Sequence, residues 1–155
     1  MTLAVARITA IALAFCLGAC QAASRRDSSG SSDLLSLKQK ADEAYDQGRL
    51  LDAEQSYQRI LEQAPSTPQA WLRLGNINLR LDRLEAAVHA YRQCLMFDRN
   101  EVRCWNNLSV TYIQMASSTL EQGSEEVSDP VKKEQLEAMR RRVVESVNRE
   151  KSEAP

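Results

Sequence analysis

One histidine, five glycines and four prolines in 155 residues leave little with which to build a reaction centre. His89 has no second histidine and no companion nucleophile, no glycine-rich run is present to cradle a phosphate, and no ligand spacing suits a metal. Neither a catalytic constellation nor a metal or cofactor site is therefore expected. No charge of one sign dominates, with 20 Lys+Arg against 21 Asp+Glu, which argues against a nucleic-acid partner. The scarcity of glycine and proline, set against abundant Ala, Leu, Glu, Gln and Arg, favours helix over sheet. The length allows one domain at most.

The one long apolar run, residues 8–17, is about ten residues, too short to span a bilayer. With Arg7 in front of it, it reads as the core of a secretory signal occupying residues 1–19. The run closes on Leu17-Gly18-Ala19-Cys20, which resembles the lipobox of bacterial lipoproteins. That resemblance implies cleavage before Cys20 and lipidation of its thiol, so that the mature protein is anchored to a membrane without crossing it. The alternative is an ordinary signal cut after Ala19 or Ala23, with Cys20 incidental. Gln21 stands where an Asp tends to hold lipoproteins in the inner membrane, so the resemblance implies the outer membrane, facing the periplasm. Residues 20–33, rich in serine and small residues, form a flexible tether with a reach of roughly 20 Å.

From residue 34 the chain repeats itself. Trp71 and Trp105, Leu74 and Leu108, Ala53 and Ala87, and Tyr57 and Tyr91 each stand 34 residues apart, and so do the pairs Arg49-Leu50 and Arg83-Leu84. Such a period means one supersecondary unit stacked on copies of itself. Leu34, Leu37, Ala41, Ala44 and Tyr45 fall at helical spacing, as do Ala53, Tyr57, Ile60 and Leu61. The turn near Gly48 between these two helices is so short that they must run antiparallel. Helices over 68–79 and 84–95 repeat the arrangement.

Trp71, Leu74, Gly75, Ala87, Tyr91 and Cys94, with Leu37, Ala41, Ala53, Tyr57, Ile60 and Pro65 one period earlier, resemble the tetratricopeptide repeat (TPR) pattern. The resemblance implies an all-α helix-turn-helix solenoid of about two and a half repeats, near 34–67, 68–101 and 102–122, within a domain over 34–150. Gly75 and Ala87 then lie where helices cross closely, and both indoles supply core bulk. The third unit breaks the pattern, because Glu121 and Glu125 occupy the positions of Ala and Tyr. Its first helix is expected to run on to Gly123, followed by an acidic loop. Asp129 before Pro130 starts a capping helix over 130–149. Its apolar face is expected to be Val131, Leu136, Met139, Val143 and Val147, with Glu137 and Arg141 paired on the other side.

Cys94 and Cys104 bracket the loop between units two and three. In an oxidising compartment they can close a disulfide; otherwise Cys94 replaces a buried alanine and Cys104 stays a thiol.

In this family the first helices line a groove that holds a partner peptide. By register the groove residues are Lys38, Asp42, Tyr45, Leu72, Asn76, Leu79, Arg80, Asn106, Val110 and Ile113. Members that clamp a terminal carboxylate need Lys and Asn where this chain has Lys38 and Asp42, and Asp42 would repel that group. Leu72, Leu79 and Ile113 have the alternative of being covered by the capping helix. The implied function is a protein-binding adaptor anchored by lipid in the bacterial envelope. The combination resembles lipoproteins that help assemble pili and secretin channels. Two other readings remain open, a structural homo-oligomer and a glycan- or peptidoglycan-associated component.

Overall fold

The computed structural model describes residues 32–153. The expected signal segment, the expected lipidation position Cys20 and nearly all of the expected tether lie outside the described residues. Within them are six helices and no strand: α1 (32–46), α2 (Leu50–Gln63), α3 (Pro68–Arg80), α4 (Leu84–Phe97), α5 (Val102–Glu126) and α6 (Pro130–Glu153). This is the all-α TPR architecture.

The 34-residue period is written into the hydrogen bonds. After α1 the chain turns at Gly48, whose φ is 74°, and Arg49 N donates to Ala44 O at 2.9 Å. One period on, Asp82 takes the left-handed conformation at φ 55° and Arg83 N donates to Asn78 O at 2.9 Å. Both second helices end alike, with Ala64 N on Ile60 O and Asp98 N on Cys94 O, each at 2.8 Å. The indoles repeat as well. Trp71 Nε1 donates to Pro65 O at 2.7 Å and Trp105 Nε1 to Arg99 O at 2.9 Å, so each ties its helix to the turn before it.

Side-chain size explains the packing. Ala53 and Ala87 are fully buried where helices cross, and Tyr57 and Tyr91 fill the space beside them. A Cβ at Gly75 would run into the Tyr91 ring, so α3 and α4 approach only because that position is glycine. The first core gathers Ala41, Ala44, Tyr57, Ile60, Leu74 and Ile77. The second gathers Leu72, Val88, Leu95 and Leu108 around Cys94 and Cys104, and half-buried Trp71 packs against both. At about 1.5–3 kcal/mol for each fully buried large apolar side chain, these two cores dominate the stability of the repeats.

The third unit departs from its neighbours in ways the register did not foretell. α5 continues through Gly123 to Glu126, and Ser124 is buried with its hydroxyl donating to Glu121 O at 2.8 Å. Leu136 of α6 lies over Gly123, where an added Cβ would meet it at 3.5 Å, an ordinary contact distance. Asp129 caps α6, its Oδ1 accepting from Val131 N at 2.9 Å and Lys132 N at 3.3 Å. α6 doubles back along the far half of α5, where Arg140 pairs with Glu121 at 2.9 Å. Arg141 pairs with Glu134 rather than with Glu137. Val131 and Met139, expected on the buried face, are exposed, because α6 packs chiefly on α5 and half-buries Leu136 and Val143 there. Trp105 is also corrected: it is 52% exposed, since among the described residues no second helix lies across it as α4 lies across Trp71.

Candidate functional site

The concave surface is made by α1, α3 and α5, and two adjoining clefts open on it. The first, of about 320 Å³, is lined by Lys38, Asp42, Tyr57, Leu72, Arg73 and Arg103 among others. The second, of about 490 Å³, is lined by Leu72, Arg73, Asn76, Val102, Arg103, Asn106 and Asn107. Leu72, Arg73 and Arg103 belong to both. Leu72 is buried at 4% exposure, so it serves as an apolar floor.

Asp42 is held from three sides. Tyr57 donates its hydroxyl to Oδ1, Lys38 Nζ lies 2.6 Å from Oδ2, and Arg73 Nε lies 3.6 Å from Oδ1. Partial burial alone would raise its pKa, but hydrogen bonds from Lys38 and Tyr57, with the charges of Lys38 and Arg73, leave it below the usual carboxylate range. The Tyr57 hydroxyl is pushed well above its ordinary value, by burial first and by the Asp42 carboxylate second. Asp42 is thus an engaged anion in a cleft with three cations. Arg103 shares its charge with Glu101 at 2.7 Å, which lowers the Glu101 pKa.

The equivalent position in the next repeat is Asn76. Its Oδ1 accepts from the Tyr91 hydroxyl at 2.9 Å and from Asn107 Nδ2 at 2.8 Å. Those bonds fix both amides and leave Asn76 Nδ2 as a donor and Asn107 Oδ1 as an acceptor, the latter met by Asn106 at 3.3 Å. A preoriented donor and acceptor of this kind match the C=O and N–H of an extended peptide backbone. Burial raises the Tyr91 hydroxyl pKa as well, so both tyrosines stay neutral donors.

Of the residues placed by register, Lys38, Asp42, Leu72, Asn76 and Asn106 come together at these clefts. Tyr45 is half-buried beside them, with the Arg73 and Arg80 guanidiniums 4.6 and 5.3 Å from its ring centre. Leu79 is not in either cleft and packs against the Cys94–Cys104 core. Val110 and Ile113 are half-buried outside both clefts. Ile113 continues along α5 into Ser117, Leu120 and Ser124, the half-buried to buried stripe toward α6. Cys94 and Cys104 are bonded, their Cα atoms 6.5 Å apart, within the span a disulfide bridges. Arg73, Arg103 and Asn107 were missed. Arg73 and Asn107 stand one position round from the Leu72 and Asn106 line, and a wider arc on each first helix would have included them. His89 is exposed, its ring 6.1 Å from that of Trp71, edge to face. Among the described residues no group of three or more His, Cys, Asp or Glu could hold a metal. None of the described helices is long and apolar enough to cross a membrane.

An all-α stack of helical hairpins with a concave face lined by first helices defines a TPR fold, a class that uses that face to bind. Comparison agrees with this: residues 38–97 match the tetratricopeptide repeat family model. Protein O-mannosyl-transferase TMTC3 of Mus musculus is 32% identical over 69 residues, and that of Homo sapiens 30%. In each case the match covers 44% of this chain and 8% of the relative. Among solved structures, the first TPR of Spaghetti (RPAP3), bound to the HSP90 peptide SRMEEVD, superposes with a TM-score of 0.51 at 16% identity. It covers 74% of this chain and 95% of that one.

Proposed function

We propose that this chain is a protein-binding adaptor whose concave surface holds an extended segment of a partner protein. The observation that carries the reading is the pair of adjoining clefts, where locked amides at Asn76 and Asn107 lie beside Lys38, Arg73 and Arg103. The amides suit a peptide backbone, and the charged side chains around them, Asp42 included, suit polar groups along it. The fold neighbour is itself bound to a peptide, which supports a peptide segment as the ligand. The adaptor is placed at the periplasmic face of a bacterial outer membrane, tethered by lipid on Cys20 and serving the assembly of a pilus or secretion channel. The Leu17-Gly18-Ala19-Cys20 run supports that placement.

Crosslinking from native envelopes tests the groove, comparing the wild type with Arg103→Glu plus Asn106→Glu. Both positions are exposed, so the fold is retained and the captured partner is lost. An unchanged set of partners would refute the reading. Cys20→Ala releases the protein from membranes, whereas persistent attachment argues against the anchor.

A further inference from the structure

In the second repeat α4 lies across α3, burying Gly75 and Asn78 and half-covering Trp71. Thirty-four residues on, the corresponding positions of α5 are Ser109, Tyr112 and Trp105, and all three are exposed. α6 leaves these three positions exposed, and its described contacts with α5 lie beside Glu121 and Gly123. An open cleft of about 550 Å³ remains between α4 and α5. Leu95, Met96, Trp105, Leu108 and Tyr112 line it, with Arg92 and Arg99 at its rim. We propose that this cleft docks an amphipathic helix of a partner protein, seated as α4 is on α3, with carboxylates facing Arg92 and Arg99 and a small residue crossing Ser109.

Three features select that occupant. The shape is that of a vacant repeat position, since the chain itself seats a helix at the same place one period earlier. The charge is one-sided, because two guanidiniums and no carboxylate line the cleft. Arg92 has a ring contact with Tyr112 at 5.9 Å, and neither arginine forms an ion pair among the described residues. The crossing residue follows from the exchange of Gly75 for Ser109. Tyr91 rests where Gly75 has no Cβ, whereas Ser109 carries a side chain whose hydroxyl donates to Trp105 O at 2.9 Å. An aromatic residue cannot settle there, and alanine can. This face of α5 is separate from the one bearing Asn106 and Asn107, so the two surfaces can be tested apart.

The test uses the full chain with Trp71→Phe, which leaves Trp105 as the sole indole. It is titrated with two synthetic peptides that keep the apolar stripe of Leu84–Phe97 and carry alanine at the Tyr91 and Cys94 positions. One has glutamates on its solvent-facing flanks and the other lysines. The expected result is a blue shift of Trp105 emission and about tenfold tighter binding of the glutamate peptide, narrowing with salt. Ser109→Phe and Met96→Glu, both at exposed positions, abolish the shift, and Arg103→Glu plus Asn106→Glu leaves it intact. Fluorotryptophan resonances of the unsubstituted chain provide the same readout if Trp71→Phe unfolds. The proposal is overturned by no shift with either peptide or by equal affinity for both. It is also overturned by binding that survives Ser109→Phe and Met96→Glu, or by a shift that grows with protein concentration alone, which would mean self-association.

Discussion

Asp42 and Asn76 occupy the same place in successive repeats, each taking the hydroxyl of the tyrosine fifteen residues on. Only the first of them titrates. The folded Asp42 pKa lies below its unfolded value, so the folded state binds fewer protons in the carboxylate range. Its contribution is present in full above the unfolded pKa of about 3.9 and is lost as pH falls through the folded value. Asp42→Asn is expected to cost about 1 kcal/mol at neutral pH, in proportion to the charged hydrogen bonds it weakens. In urea titrations the gap from wild type should shrink steadily below about pH 4. A gap of constant size down to acid would show that the charge of Asp42 contributes nothing. Tyr57 and Tyr91 were legible in the sequence as bulk, because bulk is what recurs with the period. Their hydroxyl partners were not, since the period does not say which polar residue a buried ring will reach.

Turns and cross-links set the geometry of the elements. Gly48 and Asp82 serve the same left-handed turn, but only glycine does so without a Cβ penalty. Asp82→Gly should therefore stabilise the fold by about 0.5–1 kcal/mol, read as a higher urea midpoint with an unchanged slope. A lower midpoint would mean that the Asp82 side chain does something the turn needs. The bond between Cys94 and Cys104 restrains the unfolded chain across ten residues of separation. Loop-closure entropy assigns it about 2–3 kcal/mol, and reduction should lower stability by that much. An identical midpoint for chains shown by mass to be reduced would sink that expectation. Element positions in the first two repeats were legible because small and large residues recur in register. The end of α5 was not, because a glycine and a run of serine and glutamate signal a stop, whereas the helix runs on to Glu126 with α6 packed beside it. The site was legible along one line of each first helix, through Lys38, Leu72 and Asn106. It was not legible at Arg73 and Arg103, which α3 and α5 bring to the same two clefts.

On the scale of the molecule, burial is uneven, and stability should follow it. α3 and α4 each contribute six buried residues, sit between neighbours on both sides and share the disulfide-linked core. α6 packs chiefly on α5, and through Glu145 none of its described side chains is buried. In a stack where each element leans on the next, the end with least buried surface opens first. Native-state hydrogen exchange should therefore show α6 amides exchanging at least about 100-fold faster than those of α3 and α4, with the far half of α5 in between. The Trp105 region should exchange faster than the Trp71 region, because only the latter has a helix across it. Occupying the cleft between α4 and α5 should remove that second difference without slowing α6. If α6 proves as protected as α4 in the free protein, the α5–α6 hairpin is an integral part of the repeat core, and the vacancy at Ser109 needs another explanation.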